Sequence, residues 1–332
     1  MSKDYTQIKS SAATTKKGID FVRLAPLMGG LSLILTIVAI GLLIFKGLNY
    51  GIDFSGGTEV QMKFEQAVTA EQVRASVEKL GLKEASVQSI GEHHEFIIRL
   101  GTPTGATEKE INQALVKQID AIKAEFSQSF GLKDEGVLRV DTVGPQVGSE
   151  LKKNGFLAAL YSFILILIYV SIRFDYAYAP GAVLSLLHDT LLVLGVFALL
   201  DREFNVQIMA AILTLIGYSL NDTIVTFDRI RETLPKMRGV SLYDIINQAI
   251  NDMLTRTILT GFTTFMACLG LYLYGGGVIE QIAFTLMLGV GVGMYSSIYV
   301  AAPLILVYDK MMGGAGKKAP ASSPMPRAAA KA

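Results

Sequence analysis

Residues Phe204–Glu232 read "FNVQIMAAILTLIGYSLNDTIVTFDRIRE". A helix of about 20 apolar residues crosses the hydrocarbon core of a bilayer, and the run from Phe204 to Phe227 is predicted to be such a span. Asn221 and Asp222 interrupt it, and charge resumes at Asp228, Arg229 and Arg231. At ~1.5 Å of rise per residue, Asp222 lies roughly 9 Å inside the end of the span. An ionisable side chain in a span costs a few kcal/mol and marks a functional candidate by default. Thr214, Tyr218, Ser219, Asn221 and Asp222 form a polar strip at mostly helical spacing, and Gly217 is expected to let a neighbouring helix come close.

The whole chain agrees with that reading. Its 332 residues are 51% hydrophobic, with a mean hydropathy of +0.43. This is too apolar for an ordinary soluble domain and fits a polytopic membrane protein with a soluble part. A net charge of +1 gives no reason to expect nucleic acid as a partner. The lone Cys268 excludes an internal disulfide and a multi-cysteine metal site. There is no P-loop, zincin helix or nucleophile elbow, so no enzyme is expected. "GVGVG" at Gly289–Gly293 has no strand before it and reads as close helix packing, not as a dinucleotide loop. "NDT" at Asn221 is formally a glycosylation sequon, but a place inside a span removes its meaning.

Six segments qualify as spans: about Leu24–Phe45, Asn154–Ile172, Tyr176–Leu200, Phe204–Phe227, Thr257–Ile279 and Gln281–Tyr308. The first reads as an uncleaved signal anchor. Lys and Arg concentrate in the N-terminal segment (1–23), in the loop after the fourth span and in the tail. The positive-inside rule therefore places both termini in the cytoplasm and residues 47–153, after a first span over 24–46, outside. The tail, 309–332, is rich in Gly, Pro, Ala and Ser and is expected to be disordered.

Residues 51–148 read as a compact α+β unit. "GTEVQMKF" alternates as a strand. "TAEQVRASVEKLG" is a helix with Thr69 as N-cap, Gln72 closing a capping box and Gly81 as its stop. "ASVQSIG" and "HEFIIRL" are two strands joined near Gly91. A long amphipathic helix with Thr107 as N-cap follows, and "GVLRVDTVG" is the last strand. The order is the ferredoxin-like βαββαβ pattern. The predicted fold is thus a membrane protein of six transmembrane α-helices, with a ferredoxin-like periplasmic domain between the first and second spans. Adjacent His93 and His94 point to opposite faces of a strand and do not make a metal site.

Two polar sites lie within the five-helix region 154–308. His188 and Asp189 stand midway through the third span; Asn221 and Asp222 stand in the fourth, followed by Thr223. "SLYDIINQAINDMLTRT" places its apolar residues on one face, with Ser241 and Asp244 as a capping box. It reads as an amphipathic helix, about 241–255, lying on the cytoplasmic membrane surface. It would deliver Arg256 to the inner end of the fifth span, at the depth of Asp222, where the two could pair. The structural alternative is a buried ion pair or a hydrogen-bonded cap at Asp222, and helix orientation alone at His188–Asp189. Arg229 and Arg231 read as positive-inside anchors.

"GIDFSGGTEVQ" at Gly51, "VGPQVGSEL" at Val143, "HDT" at His188, "GYSLNDTIVTFDRIRE" at Gly217 and "RTILTG" at Arg256 together resemble the SecF family. The likeness runs from about Gly18 to Tyr308, in motif order. The resemblance implies membership of the resistance-nodulation-division superfamily and a place in the bacterial inner membrane as half of a twelve-helix, pseudo-symmetric core. SecD would supply the other half. It implies work beside the SecYEG channel, with YajC as a further partner, on preprotein substrates surrounded by membrane lipid. It implies no cofactor, and coupling to an H⁺ gradient, or Na⁺ in some relatives. The family's key membrane residues match Asp222 and Arg256, opposite acidic residues of SecD. Asn221 and Thr223 would orient the Asp222 carboxylate or a water beside it, with His188 and Asp189 as further ion-coupling candidates. A carboxylate suits coupling because burial and a nearby guanidinium move its proton affinity in opposite directions. Two other readings stay open. One is a scaffold that stabilises SecD and the channel without coupling ions. The other is a small-molecule exporter of the same superfamily, against which six spans and one small exported domain argue.

Overall fold

A computed structural model of the chain describes residues 18–82, 85–90, 94–101, 108–174, 178–237 and 239–311. The chain opens with α1 (Phe21–Phe45), β1 (Asn49–Tyr50), α2 (Ile52–Ser55), β2 (Gly57–Lys63), α3 (Ala70–Lys79), β3 (Ser86–Ile90), β4 (Glu95–Leu100), α4 (Glu108–Phe130) and β5 (Val137–Val143). Then come α5 (Pro145–Arg173), α6 (Ala179–Leu200), β6 (Glu203–Phe204), α7 (Val206–Thr233), α8 (Leu242–Tyr274), α9 (Gly277–Ser296) and α10 (Ala302–Met311). A π turn, Ser297–Ala301, joins α9 to α10. Among the described residues six helices are long and apolar enough to cross a membrane: α1, α5, α6, α7, α8 and the joined α9–α10. The segments 1–17 and 312–332, His93, and the Thr107 cap lie outside the described residues.

Each span is where hydropathy puts it, but its ends differ. α5 starts at Pro145, well before Asn154, because Gly144 is extended and Pro145 suits a first helical position. α6 starts at Ala179, and the expected start at Tyr176 falls outside the described residues. α7 starts after the short strand Glu203–Phe204, capped by Asn205, whose side chain accepts the Ile208 N–H at 3.0 Å. It runs on through the charged residues to Thr233. The larger correction concerns residues 241–255, which are not a separate surface helix. Ser241 caps α8, and the helix continues without a break to Tyr274. No Gly or Pro interrupts Leu242–Thr260, and the apolar face does not lie on lipid. Ile246, Ala249 and Ile250 are buried against Phe21, Val22, Phe227 and Ile230 in one core cluster. The fifth span also ends at Tyr274, not Ile279, because Gly276 and Gly277 take φ of 61° and 45°, and Ile279 already belongs to α9.

Residues 57–143 form a unit around a four-stranded antiparallel sheet in the order β3-β4-β2-β5. Val60, Met62, Phe96 and Ile98 face α3 and α4, whose Val73, Val77, Ile122 and Phe126 complete the core. The Thr69–Gln72 capping box forms as the spacing predicts. Gly57 takes φ of 130°, and a Cβ there would run into the Leu100 carbonyl oxygen. Both strain and contact penalise a side chain, so Gly57→Ala is expected to cost about 2–4 kcal/mol. Denaturant unfolding in detergent measures it; a loss below about 1 kcal/mol would show that the backbone there can relax.

The segment "GIDFSGGT" fastens this unit to the helices. β1 pairs in parallel with β6, and the Gly51 N–H donates to the Phe204 carbonyl at 3.0 Å. Asp53 accepts the Val206 N–H at 3.1 Å, which places a carboxylate at the N-terminus of α7. Phe54 stacks on Phe204 with ring centroids 5.5 Å apart. A Cβ on Gly148 of α5 would lie 3.0 Å from the Gly56 nitrogen, so glycine is what lets α5 and α2 touch.

Candidate functional site

α6, α7 and α9 meet along small residues. Gly289 and Gly293 face α7, and a Cβ on Gly293 would lie 3.2 Å from the Ser219 Cβ. "GVGVG" is therefore a packing stripe. Gly217 is not: a Cβ there meets open space, since that face of α7 is turned away from its neighbours. The close approach of α9 brings hydroxyls to carboxylates that a wider spacing would strand.

Asp189 is 1% exposed and gathers three helices. Its Oδ2 accepts Ser219 Oγ of α7 at 2.6 Å and Ser296 Oγ of α9 at 2.8 Å; its Oδ1 lies 2.9 Å from Nδ1 of His188. Ser185 donates to Ser296 Oγ at 3.1 Å. The His188 ring stacks near Tyr295 at 6.4 Å and lines an apolar crevice of about 700 Å³ between α1, α6 and α10. Its Nε2 is buried without a partner among the described residues.

Asp222 has a second set of hydroxyls. Oδ1 accepts Thr257 Oγ1 of α8 at 3.0 Å, and Oδ2 accepts Ser297 Oγ of the π turn at 2.5 Å. The two carboxylates thus bind consecutive serines, Ser296 and Ser297. Single π turns recur at functional sites because the extra residue re-aims side chains. Here the turn starts at the second serine.

The expected Asp222–Arg256 pair does not form. Arg256 neighbours Thr257 in sequence, but at 100° per residue the adjacent side chain points elsewhere. Its guanidinium is exposed and has no ion pair or hydrogen bond among the described residues. It lines a polar cleft of about 370 Å³ with Tyr169, Arg173, Asp228, Arg229 and Glu232. Arg229 is more than an anchor: Asp252 binds it at 2.5 Å and Glu232 at 3.2 Å. Asn221 is exposed and does not reach Asp222, while Thr223 is fully buried with Oγ1 unpartnered among the described residues.

The structure therefore unites Asp222 with Thr257 and Ser297, and His188–Asp189 with Ser219 and Ser296. It leaves Asn221, Thr223 and Arg256 outside both groups. The partners Ser185, Thr257, Ser296 and Ser297 are missed by a search for charges. The spacing Gly289, Gly293, Ser296, Ser297, at i, i+4, i+7 and i+8, marks one small face and is the signal that finds two of them.

Chemically, a hydroxyl both donates and accepts. Thr257 and Ser297 can donate to an ionised Asp222 and accept from a protonated one, so the contacts survive either charge state. A fixed cation in their place would favour one state only.

Residues 122–311 match the family described as "Protein export membrane protein SecD/SecF, C-terminal", and residues 41–68 match the "SecD/SecF GG Motif". The second match contains Gly56 and Gly57. A protein translocase subunit SecF of Calditerrivibrio nitroreducens is 43% identical over 295 residues, covering 88% of this chain and 95% of that one. The subunit SecF of Vibrio alginolyticus is 40% identical over 291 residues, covering 88% and 90%. The crystal structure of SecDF from Thermus thermophilus, a translocon-associated membrane protein, superposes with a TM-score of 0.79 at 34% identity. That alignment covers 90% of this chain and only 39% of the SecDF chain.

Proposed function

The chain belongs to the SecF family of SecD/SecF protein-export membrane proteins, and from that premise we propose that it is the smaller, proton-coupled half of a SecD–SecF motor. It sits in the inner membrane with both termini cytoplasmic. Its four-stranded unit, with the strand order of a ferredoxin-like fold, stands in the periplasm. With SecD it uses the proton-motive force to draw preproteins outward beside the SecYEG channel. The share of the SecDF chain left uncovered has room for a SecD half.

The observation that carries the reading is Asp222 held inside a span by the hydroxyls of Thr257 and Ser297, with Arg256, next to Thr257 in sequence, in no direct ion pair among the described residues. A guanidinium without an ion pair at the inner end of a span is open to an acidic partner. An acid contributed by SecD across the exposed face of α7 and α8 would pair it. Transporters of repeated architecture place ion sites at such interfaces between halves. A proton on Asp222 would change its attraction to that charge set and favour a shift of α7 against α8.

Preprotein export into inverted vesicles, with the H⁺ or the Na⁺ gradient collapsed separately, tests the reading. Loss with H⁺ alone is expected; loss with Na⁺ alone would move the coupling ion to sodium. Arg256→Leu should reduce wild-type export to the collapsed level with the complex intact. Full export by that variant would favour the scaffold reading instead.

A further inference from the structure

Far from Asp222, at the junction of the exported unit and the α6–α7 turn, lies another buried acid. Glu203 is 5% exposed and Arg99 of β4 is 8% exposed. The Arg99 guanidinium donates from one terminal nitrogen to Glu203 Oε2 and from Nε to Glu59 Oε2 at 2.9 Å. It also reaches Gln88 Oε1 at 3.4 Å. One cation is thus divided between two carboxylates, and the trio carries a net charge of −1 when both are ionised. Asp53 of α2 adds to the negative field. Asp201, Arg202 and Glu280 line a polar cavity of about 270 Å³ on the other side. Neither nearby base relieves Glu203: Arg202 lies over the Phe284 ring at 3.9 Å, and Lys46 reaches Asp201 at 4.0 Å. Gly51 completes the seat, since a Cβ there would run into the Glu203 carboxylate.

We propose that Glu203 is a proton-binding site separate from Asp222, and that its protonation latches the exported unit onto the α6–α7 turn. It stands whether or not Asp222 couples ions. Glu203 is part of β6, so the same residue carries the backbone pairing with β1 and the side-chain contact with β4. An ion pair alone would favour the charged form, yet burial outweighs it here and lifts Glu203 from 4.5 to about 7. Arg99 pulls the other way; Glu59 and Asp53 push with burial. Undocked, the side chain would return to water and to its ordinary value. The docked form therefore holds the proton more tightly. Its advantage is full below about pH 4.5 and disappears as pH rises through about 7. An acidic exterior closes the latch and a neutral to alkaline one loosens it.

The test uses the full chain in complex with SecD in lipid nanodiscs, spin-labelled through Glu71→Cys on α3 and Tyr274→Cys at the end of α8, with Cys268→Ser. Pulsed electron resonance reads the distance between labels from about pH 5 to about pH 9. A single docked distance is expected at the acid end. A second population should grow with a midpoint near 7, its ratio to the first changing on the order of a hundredfold at most. Glu203→Gln should hold the docked distance throughout, and Glu59→Gln should move the midpoint to lower pH. A wild-type distribution that does not change across this range, or a Glu203→Gln variant that titrates like wild type, would overturn the proposal.

Discussion

Asp222→Asn is expected to leave the chain folded and bound to SecD while export driven by the gradient falls to the level seen with the gradient collapsed. The asparagine keeps the shape and retains a carbonyl oxygen for one of the two hydroxyls, Thr257 or Ser297. The other can turn to accept from the new amide, because a hydroxyl serves in both roles. The stability cost is therefore about 1 kcal/mol or less. What the amide cannot do is gain and lose a proton. Assembly, followed by co-purification of SecD, should be unchanged, while the gradient-dependent component of preprotein export should vanish. Normal gradient-driven export by this variant would end the assignment of Asp222 as the coupling group. It would also leave the scaffold reading in its place.

Asp189→Ala should be the most destabilising of the intramembrane changes. It removes the acceptor shared by Ser219 of α7 and Ser296 of α9 and strands Nδ1 of His188 beside a small void. Losing one member of a buried polar network typically costs 3–5 kcal/mol. Ser296 already has a fallback, since it also bonds the Gly293 carbonyl at 3.1 Å, so about 2–4 kcal/mol is expected here. Asp189→Asn, which keeps an acceptor, should lose about half of that. Denaturant titration in detergent reads the difference. A loss below about 1 kcal/mol from the alanine variant would mean that the serines satisfy themselves on their own helices and that the network does not hold α6, α7 and α9 together.

The spans are legible because lipid enforces a single rule, apolar residues over the thickness of the core, and hydropathy reports it directly. Where a helix begins and ends is a different matter, set by its ladder of backbone hydrogen bonds. α5, α7 and α8 all run past their apolar stretches because nothing in Pro145–Asn154, Asp228–Thr233 or Leu242–Arg256 breaks that ladder. Asp189 and Asp222 are legible for the reason the spans are: in lipid, charge is conspicuous. Their hydroxyl partners are not. Thr190, Thr260, Thr263 and Thr264 look the same in sequence as Thr257, yet each spends its hydroxyl on a carbonyl of its own helix. Only packing decides which threonine reaches out. Gly217 and Gly293 make the same point, since a glycine in a span permits contact without specifying it. The pairing of Asp222 with Arg256 fails because matching depth along two helices does not fix rotation about them.

β5 ends at Val143 and α5 begins at Pro145, so Gly144 alone separates the sheet from the span. A longer, polar connection would let the sheet unit wobble on a tether. This joint welds an outer strand to a membrane helix of 29 residues, about 44 Å long at ~1.5 Å per residue. α5 is also sparsely gripped, with 11% of its apolar window buried within the chain. Strand and helix therefore turn as one crank. A tilt of roughly 10° displaces one end of a rod that long by about 8 Å relative to the other. That displacement exceeds the rise of two extended residues, so a small tilt of α5 moves the attached sheet by more than two residue spacings along a strand.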